Sequence, residues 1–323
     1  MTLAMVKQPE RTSAPSLIDG TAEAGLTPES CNLEFWLQSV RGSLRGFVHG
    51  HTPGVAVPRH MLEPGPLREA SLQEFAFRAT TEQMTARHLS HLVRTAPDQA
   101  TMDFFATQLI DEARHADVFR WHLVEMGIPR ATLEAKMAEI VGAKRDTILR
   151  PLERFALDLV DKPDADFIGG VIFLTVIGEG ALAPAAEMSE RKWRVFDPPA
   201  SEISQGANLD EVRHLGVGAE VVRIHVERHP HERGRLLELI QRGLQLWQDL
   251  PILQLLIERE MLFQAGMEQH RHLLGDYELV PGRRLADTTV EERIGLQGHW
   301  SDEMRGRRLE RMGLTGLSLT GNR

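Results

Sequence analysis

Asp111-Glu112-Ala113-Arg114-His115 and, 99 residues further on, Asp210-Glu211-Val212-Arg213-His214 decide how this chain is read. Each Asp-Glu-x-Arg-His string sits in a segment that reads as helix. Residues three apart on a helix point the same way, one turn above the other. Glu112 with His115, and Glu211 with His214, therefore each offer a carboxylate oxygen and an imidazole nitrogen to one metal ion. A single Glu-x-x-His is most often a solvated helix face. Two of them with Asp and Arg in identical places argue for a pair of metal ions held between facing helices.

Such a centre is completed by one carboxylate from each of two further helices, in the order Glu, Glu-x-x-His, Glu, Glu-x-x-His. Glu82 lies 30 residues before Glu112, and Glu179 lies 32 residues before Glu211. Thr95-Ala96-Pro97-Asp98-Gln99 reads as the turn of a helical hairpin, with Pro97 as breaker and Asp98 as cap. Residues equidistant from such a turn lie side by side, and the midpoint of Glu82 and Glu112 is residue 97. The midpoint of Glu179 and Glu211 is residue 195, inside a second break at Trp193-Arg194-Val195-Phe196-Asp197-Pro198-Pro199. The rival Glu74 lies eight residues before Glu82, roughly 12 Å too far along the axis at helical rise. Glu187 is set aside against Glu179 for the same reason.

The segment 167–183 is apolar nearly all round, which marks a buried helix. A carboxylate there is costly unless it is paired or bound to a cation. Gly178 and Gly180 flank Glu179; they either loosen the helix and leave room for a small molecule, or allow another helix to pack closely. Asp111 and Asp210 have a role in the same scheme. A metal-bound imidazole donates its other N–H to a carboxylate or carbonyl, and Asp111 can serve His214 while Asp210 serves His115 across the bundle. Arg114 and Arg213 then balance the two Asp charges.

On these residues the chain resembles the ferritin-like di-iron carboxylate oxidase/oxygenase superfamily. The branch is the one holding ribonucleotide reductase small subunits, multicomponent monooxygenases and N-oxygenases. The Asp-Glu-x-Arg-His form is most similar to the hydroxylase subunits of the multicomponent monooxygenases. The resemblance covers Ala70 to about Arg228. It implies an all-α, ferritin-like four-helix bundle with additional N- and C-terminal helices. Glu82, Glu112, His115, Glu179, Glu211 and His214 become the six ligands of two Fe ions, with Mn or a mixed Fe/Mn pair as the alternative.

The implied function is that of a non-haem di-iron oxidase or oxygenase. It would activate O2 to hydroxylate or N-oxygenate a small-molecule metabolite, free or carrier-bound. Electrons would come from an external donor such as a ferredoxin or reductase, and a homodimer is the expected assembly. The alternatives are a ferroxidase or iron-handling protein and a manganese-dependent, catalase-like redox enzyme. The departures from the family narrow the choice. Phe119 stands where radical-generating subunits carry a tyrosine, and the single tyrosine is Tyr277. Ala183 replaces the threonine often found in multicomponent hydroxylases, and Ala207 replaces the seventh, histidine ligand of arylamine N-oxygenases.

The rest of the sequence suits a helical enzyme of the cytoplasm. With 323 residues, 42% of them hydrophobic, the chain can bury one large core or two modest ones. A net charge of −9 argues against a nucleic-acid or anionic-membrane surface. No segment is expected to span a membrane, and the start of the chain shows no signal-peptide pattern. The lone Cys31 forms no internal disulfide and fits a reducing compartment. Residues 1–28 read as a disordered tail, and 29–323 as one helical domain with the metal-binding bundle at 66–228 and further helices at 229–313. Helices are expected at 32–48, at 133–159 as one or two pieces, across 232–274 and at 291–312, with loops at 50–65 and 280–287. His225, His229 and His231 read as exposed helix-end histidines. His88 and His122 read as structural polar groups, and Trp121 as a core tryptophan or an electron relay.

Overall fold

The computed structural model describes Leu17 and residues 25–40 and 48–315. The expected disordered tail thus lies outside the described residues apart from Leu17 and 25–28. Of the helix expected at 32–48, residues 41–47 also lie outside them. The part that is described is a single turn, Leu33–Phe35, capped by Asn32 and running into π-helical Trp36–Val40.

Helix α1 (Pro66–Thr95) begins with Pro66 in its first turn, where a missing N–H costs nothing. It stops before Pro97, and the Asp98 side chain opens α2 (Gln99–Glu125) by accepting the Thr101 N–H at 2.8 Å. The expected bridge consists of α3 (Leu133–Val141), a π-helical turn Arg145–Leu149 and α4 (Arg150–Val160).

The segment expected as one continuous helix around Glu179 is broken. Helix α5 (Phe167–Ile172) passes into π-helical Phe173–Ile177, Gly178 leaves helical geometry, and α6 (Glu179–Phe196) starts on Glu179 itself. Helix α7 (Pro198–Arg228) follows after one linking residue, Asp197. Residues 167–196 are long and apolar enough to cross a membrane by composition, but most of that stretch is buried inside the protein.

Helices α8 (Arg233–Asp249), α9 (Ile252–Gln269) and α10 (Val290–Arg311) complete the chain. Helix α9 packs on α1, while α10 packs on α6 and α9. The expected loop at 280–287 contains part of a small hairpin instead. Strands β1 (Glu278–Val280) and β2 (Arg283–Arg284) pair antiparallel around Gly282, whose φ of +78° favours glycine. They are the only strands among the described residues, so the protein is all-α in class.

The hairpins α1/α2 and α6/α7 pack through α2 and α7. One apolar cluster holds Phe75, Phe119, Trp193, Phe196 and Ile203, and a second holds Leu89, Phe104, Phe105, Ile172 and Val217. Along α1, α2 and α7 the residues Glu82, Glu112 and Glu211 fall between members of the two clusters. The polar centre is therefore walled by hydrocarbon at both ends.

The tight α6/α7 link depends on Asp197. Its Oδ1 accepts the Ala200 N–H at 3.2 Å, and its Oδ2 lies 3.0 Å from His122 Nε2 on α2. Burial opposes charge on His122, yet Asp197 and Glu125 push its pKa up to about 9. A His whose folded pKa exceeds its unfolded value stabilises the fold fully below about pH 6.5 and loses that contribution as pH rises towards 9. For the metal-free protein, urea unfolding at pH 6.5 and 9 should show a loss from this group of about 3 kcal/mol. The His122→Gln variant should lack that part of the slope. Equal slopes in the two proteins would refute the linkage.

Candidate metal centre

All six sequence-chosen ligands converge. Donor atoms of Glu82, Glu112, His115 and Glu211 lie within 4.8 Å of one another, and so do those of Glu112, Glu179, Glu211 and His214. The two groups share Glu112 and Glu211. Glu112, His115 and His214 are buried, as are Glu179 and Glu211, and Glu82 is half-buried. The arrangement is nearly two-fold. His115 Nδ1 lies 3.2 Å from Glu112 and 3.9 Å from Glu211, while His214 Nδ1 lies 2.9 Å and 3.8 Å from the same two carboxylates.

The far sides of the rings are held crosswise. His115 Nε2 lies 3.2 Å from Asp210 Oδ2, and His214 Nε2 lies 3.4 Å from Asp111 Oδ2. A proton placed on Nε2 to serve the aspartate leaves the Nδ1 lone pair facing the carboxylates. Arg213 spans both aspartates, with Nη1 3.1 Å from Asp210 Oδ1 and Nη2 against Asp111, and Arg114 closes on Asp210 from the other side. Burial raises the Asp210 carboxyl, but Arg114 and Arg213 overcome this and hold it well below the usual carboxylate range.

The charge pattern fits a cation. Burial and then the neighbouring Glu112 push the Glu82 carboxyl far up. Glu179 rises for the same reason, with Glu211 and Glu112 as its neighbours. Burial also opposes charge on Glu112, but His115 and His214 hold its carboxyl down. Burial lowers His115, yet Glu112 and Asp210 carry it up to about 10. Without a cation, the cluster lowers its charge by keeping protons.

Several donor atoms are nonetheless orphaned. Glu112 Oε1, Glu211 Oε2 and His214 Nδ1 are buried with no hydrogen-bond partner. His214 Nδ1 and Glu112 Oε1 approach to 2.9 Å without the alignment of a hydrogen bond. Lone pairs that face a shared point rather than each other are what a bound ion satisfies. Four carboxylates with two imidazoles offer the charge and the donor atoms that divalent metal ions take.

Three supporting residues escaped the sequence reading. Gln108 donates its amide to both oxygens of Glu179, at 3.0 and 3.1 Å. It lies one turn before Glu112, a position that helical spacing could have suggested. Trp36 Nε1 donates to Asp111 Oδ1 at 3.1 Å from the N-terminal segment, with no sequence signal. Arg308 on α10, buried, donates Nη1 to the Thr175 carbonyl at 2.9 Å inside the π-helical turn. A Cβ at Gly180 would collide with both that carbonyl and the Arg308 guanidinium. The room at Gly180 is thus filled by the protein's own groups.

The other candidates stand apart. At the end of α7 the His225 ring lies tilted against His229, and His231 meets His229 edge-on; the three form no group of metal-holding geometry among the described residues. His88 bonds to the Gly170 carbonyl, with burial keeping its pKa down at about 4. Trp121 donates to Glu125 at 3.0 Å and stacks on His49. A cavity of about 760 Å³ reaches Glu82, Glu179 and Glu211 and is walled by α1, α6, α8, α9 and α10.

Comparison with protein-family models gives no match for this chain, and comparison with curated proteins gives none.

Proposed function

We propose that this chain is a ferritin-like, O2-dependent di-iron oxidoreductase that hydroxylates or N-oxygenates a small organic metabolite. The observation that carries this reading is the pair of overlapping ligand groups sharing Glu112 and Glu211. Glu82 and His115 would serve one ion, Glu179 and His214 the other, and Glu112 and Glu211 both. When bound, two ferrous ions supply the electrons and open coordination positions that O2 reduction needs.

The chain supplies the rest. Asp111 and Asp210 fix both ring tautomers, Gln108 orients Glu179, and the apolar clusters wall the centre with hydrocarbon at either end. No dinucleotide or phosphate-loop motif occurs in the sequence, so further electrons would come from a separate ferredoxin or reductase. The cavity favours an organic substrate over iron handling alone, because its apolar walls meet three of the carboxylates.

Metal analysis and stopped-flow absorption on the Fe(II)-loaded protein mixed with O2 test the proposal. About two irons per chain and a transient visible band are expected. Manganese as the active metal, or no metal under any loading condition, would overturn it.

A further inference from the structure

The cavity beside the centre contains a charge with no counter-charge in contact. Arg259 on α9 lines it and is only 8% exposed, with its Nε buried and unpartnered. No hydrogen bond or ion pair joins it to any described residue. The buried charges around it are matched. Lys192 Nζ lies 2.9 Å from Glu74 and 2.8 Å from Glu260, and Arg293 Nε lies 2.6 Å from Glu260. Glu74, the carboxylate whose field Arg259 feels, is already occupied: one oxygen faces Lys192 and the other accepts from Trp193 Nε1 at 3.2 Å. Arg78, the next cation along the cavity wall, donates only to the hydroxyls of Ser189 and Ser204.

A buried guanidinium without a partner destabilises the fold, and arginine does not escape that cost by losing its proton. A site that keeps such a group offers it to an incoming anion. A carboxylate matches the planar fork with two parallel hydrogen bonds. Its position suits this role. Glu74, Arg78 and Glu82 follow one another along the cavity face of α1, so the Glu74 end lies about 12 Å from Glu82 at helical rise. Ala183, Ile252, Leu255 and Leu256 give the cavity apolar wall.

We propose that the cavity binds a small organic acid, its carboxylate paired with Arg259 and its apolar stem laid towards Glu82 and Glu179. The identity of the end that reacts rests on the di-iron reading; the anion site does not.

Calorimetric titration of the full-length protein, metal-free and Fe(II)-loaded, with octanoate and its uncharged analogue octanamide tests the site. Octanoate should bind the metal-free protein at least tenfold more tightly than octanamide. Arg259→Met should remove that preference while leaving octanamide binding unchanged, and Arg259→Lys should restore part of it. Equal affinities for the two probes in the unaltered protein would overturn the proposal, and this comparison needs no variant to fold. So would an octanoate preference that persists in a folded Arg259→Met protein, or one that appears only after iron is loaded. An Arg259-dependent preference in a protein that takes up no iron would uphold the anion site while refuting the di-iron reading.

Discussion

Glu211→Ala should lower iron from about two per chain to well below one and reduce O2-dependent oxidation to background. The same substitution should make the metal-free protein more stable. Both effects come from one position. Glu211 belongs to both ligand groups, so its loss takes a donor from each ion. In the metal-free protein its charge also helps drive the carboxyls of Glu82 and Glu179 upward, so that these groups must hold protons until a cation arrives.

Removing that charge should raise stability by about 1 kcal/mol, in the range of substitutions that relieve functional strain. In a chain of this size that is an increase in Tm of about 1–2 °C. Calorimetry of the two metal-free proteins, with metal analysis of the two loaded ones, reads both effects. A metal-free variant that melts lower than its parent would contradict the electrostatic account, and a loaded variant that keeps two irons would contradict the shared-donor account. His214→Ala and Glu179→Ala should also abolish oxidation in a helical fold, but each takes a donor from only one of the two groups.

The convergence of the Glu and His residues was legible because helices make geometry local. The three-residue step in each Glu-x-x-His, and the equal distances of Glu82 and Glu112 from the Pro97 turn, need only helical rise and an antiparallel hairpin. The Asp98 cap was readable on the same terms. What stayed hidden depends on partners far along the chain. Nothing in Phe173-Leu174-Thr175-Val176-Ile177 announces a π-helical turn. The carbonyl of Thr175 is taken up by Arg308, 133 residues away. A local hint did exist: Gly178, Gly180 and Pro184 crowd into the first turns of α6, and Pro184 lacks the amide that would bond the Gly180 carbonyl.

The described part of the N-terminal helix expected at 32–48 is helical but changes form at Trp36. Trp36 turns inward to Asp111, and the segment around it takes the π-helical form that this contact accompanies. The hairpin at β1 and β2 is too short for an alternating pattern to show. Arg259 gave no signal in the sequence, because a missing partner is a property of the folded surroundings.

The largest stability loss should come from Arg213→Met. Arg213 is buried and donates to Asp210 through Nη1 and to Asp111 through Nη2, so its removal leaves two buried aspartates facing each other. Breaking one side of a buried ion pair typically costs about 3–5 kcal/mol. Arg114 offsets only part of this, since it closes on Asp210 and stays 3.9 Å from Asp111. Arg213→Lys should recover little, because one ammonium cannot bridge two carboxylates as a planar fork does.

Asp210→Asn separates stability from metal affinity. An asparagine oxygen can still accept from His115 Nε2, so the ring keeps its orientation while losing the adjacent charge. Iron affinity should fall by about 10–100-fold, the usual effect of altering a ligand's hydrogen-bond partner. That is a smaller loss than removal of His115 itself would cause. Denaturant unfolding of Arg213→Met beside Asp111→Asn/Arg213→Met decides whether repulsion is the cause. The double variant removes one of the stranded charges and should regain at least 1 kcal/mol, a coupling expected for residues in one charge network. A double variant less stable than Arg213→Met would mean that packing, rather than the uncompensated aspartates, sets the loss.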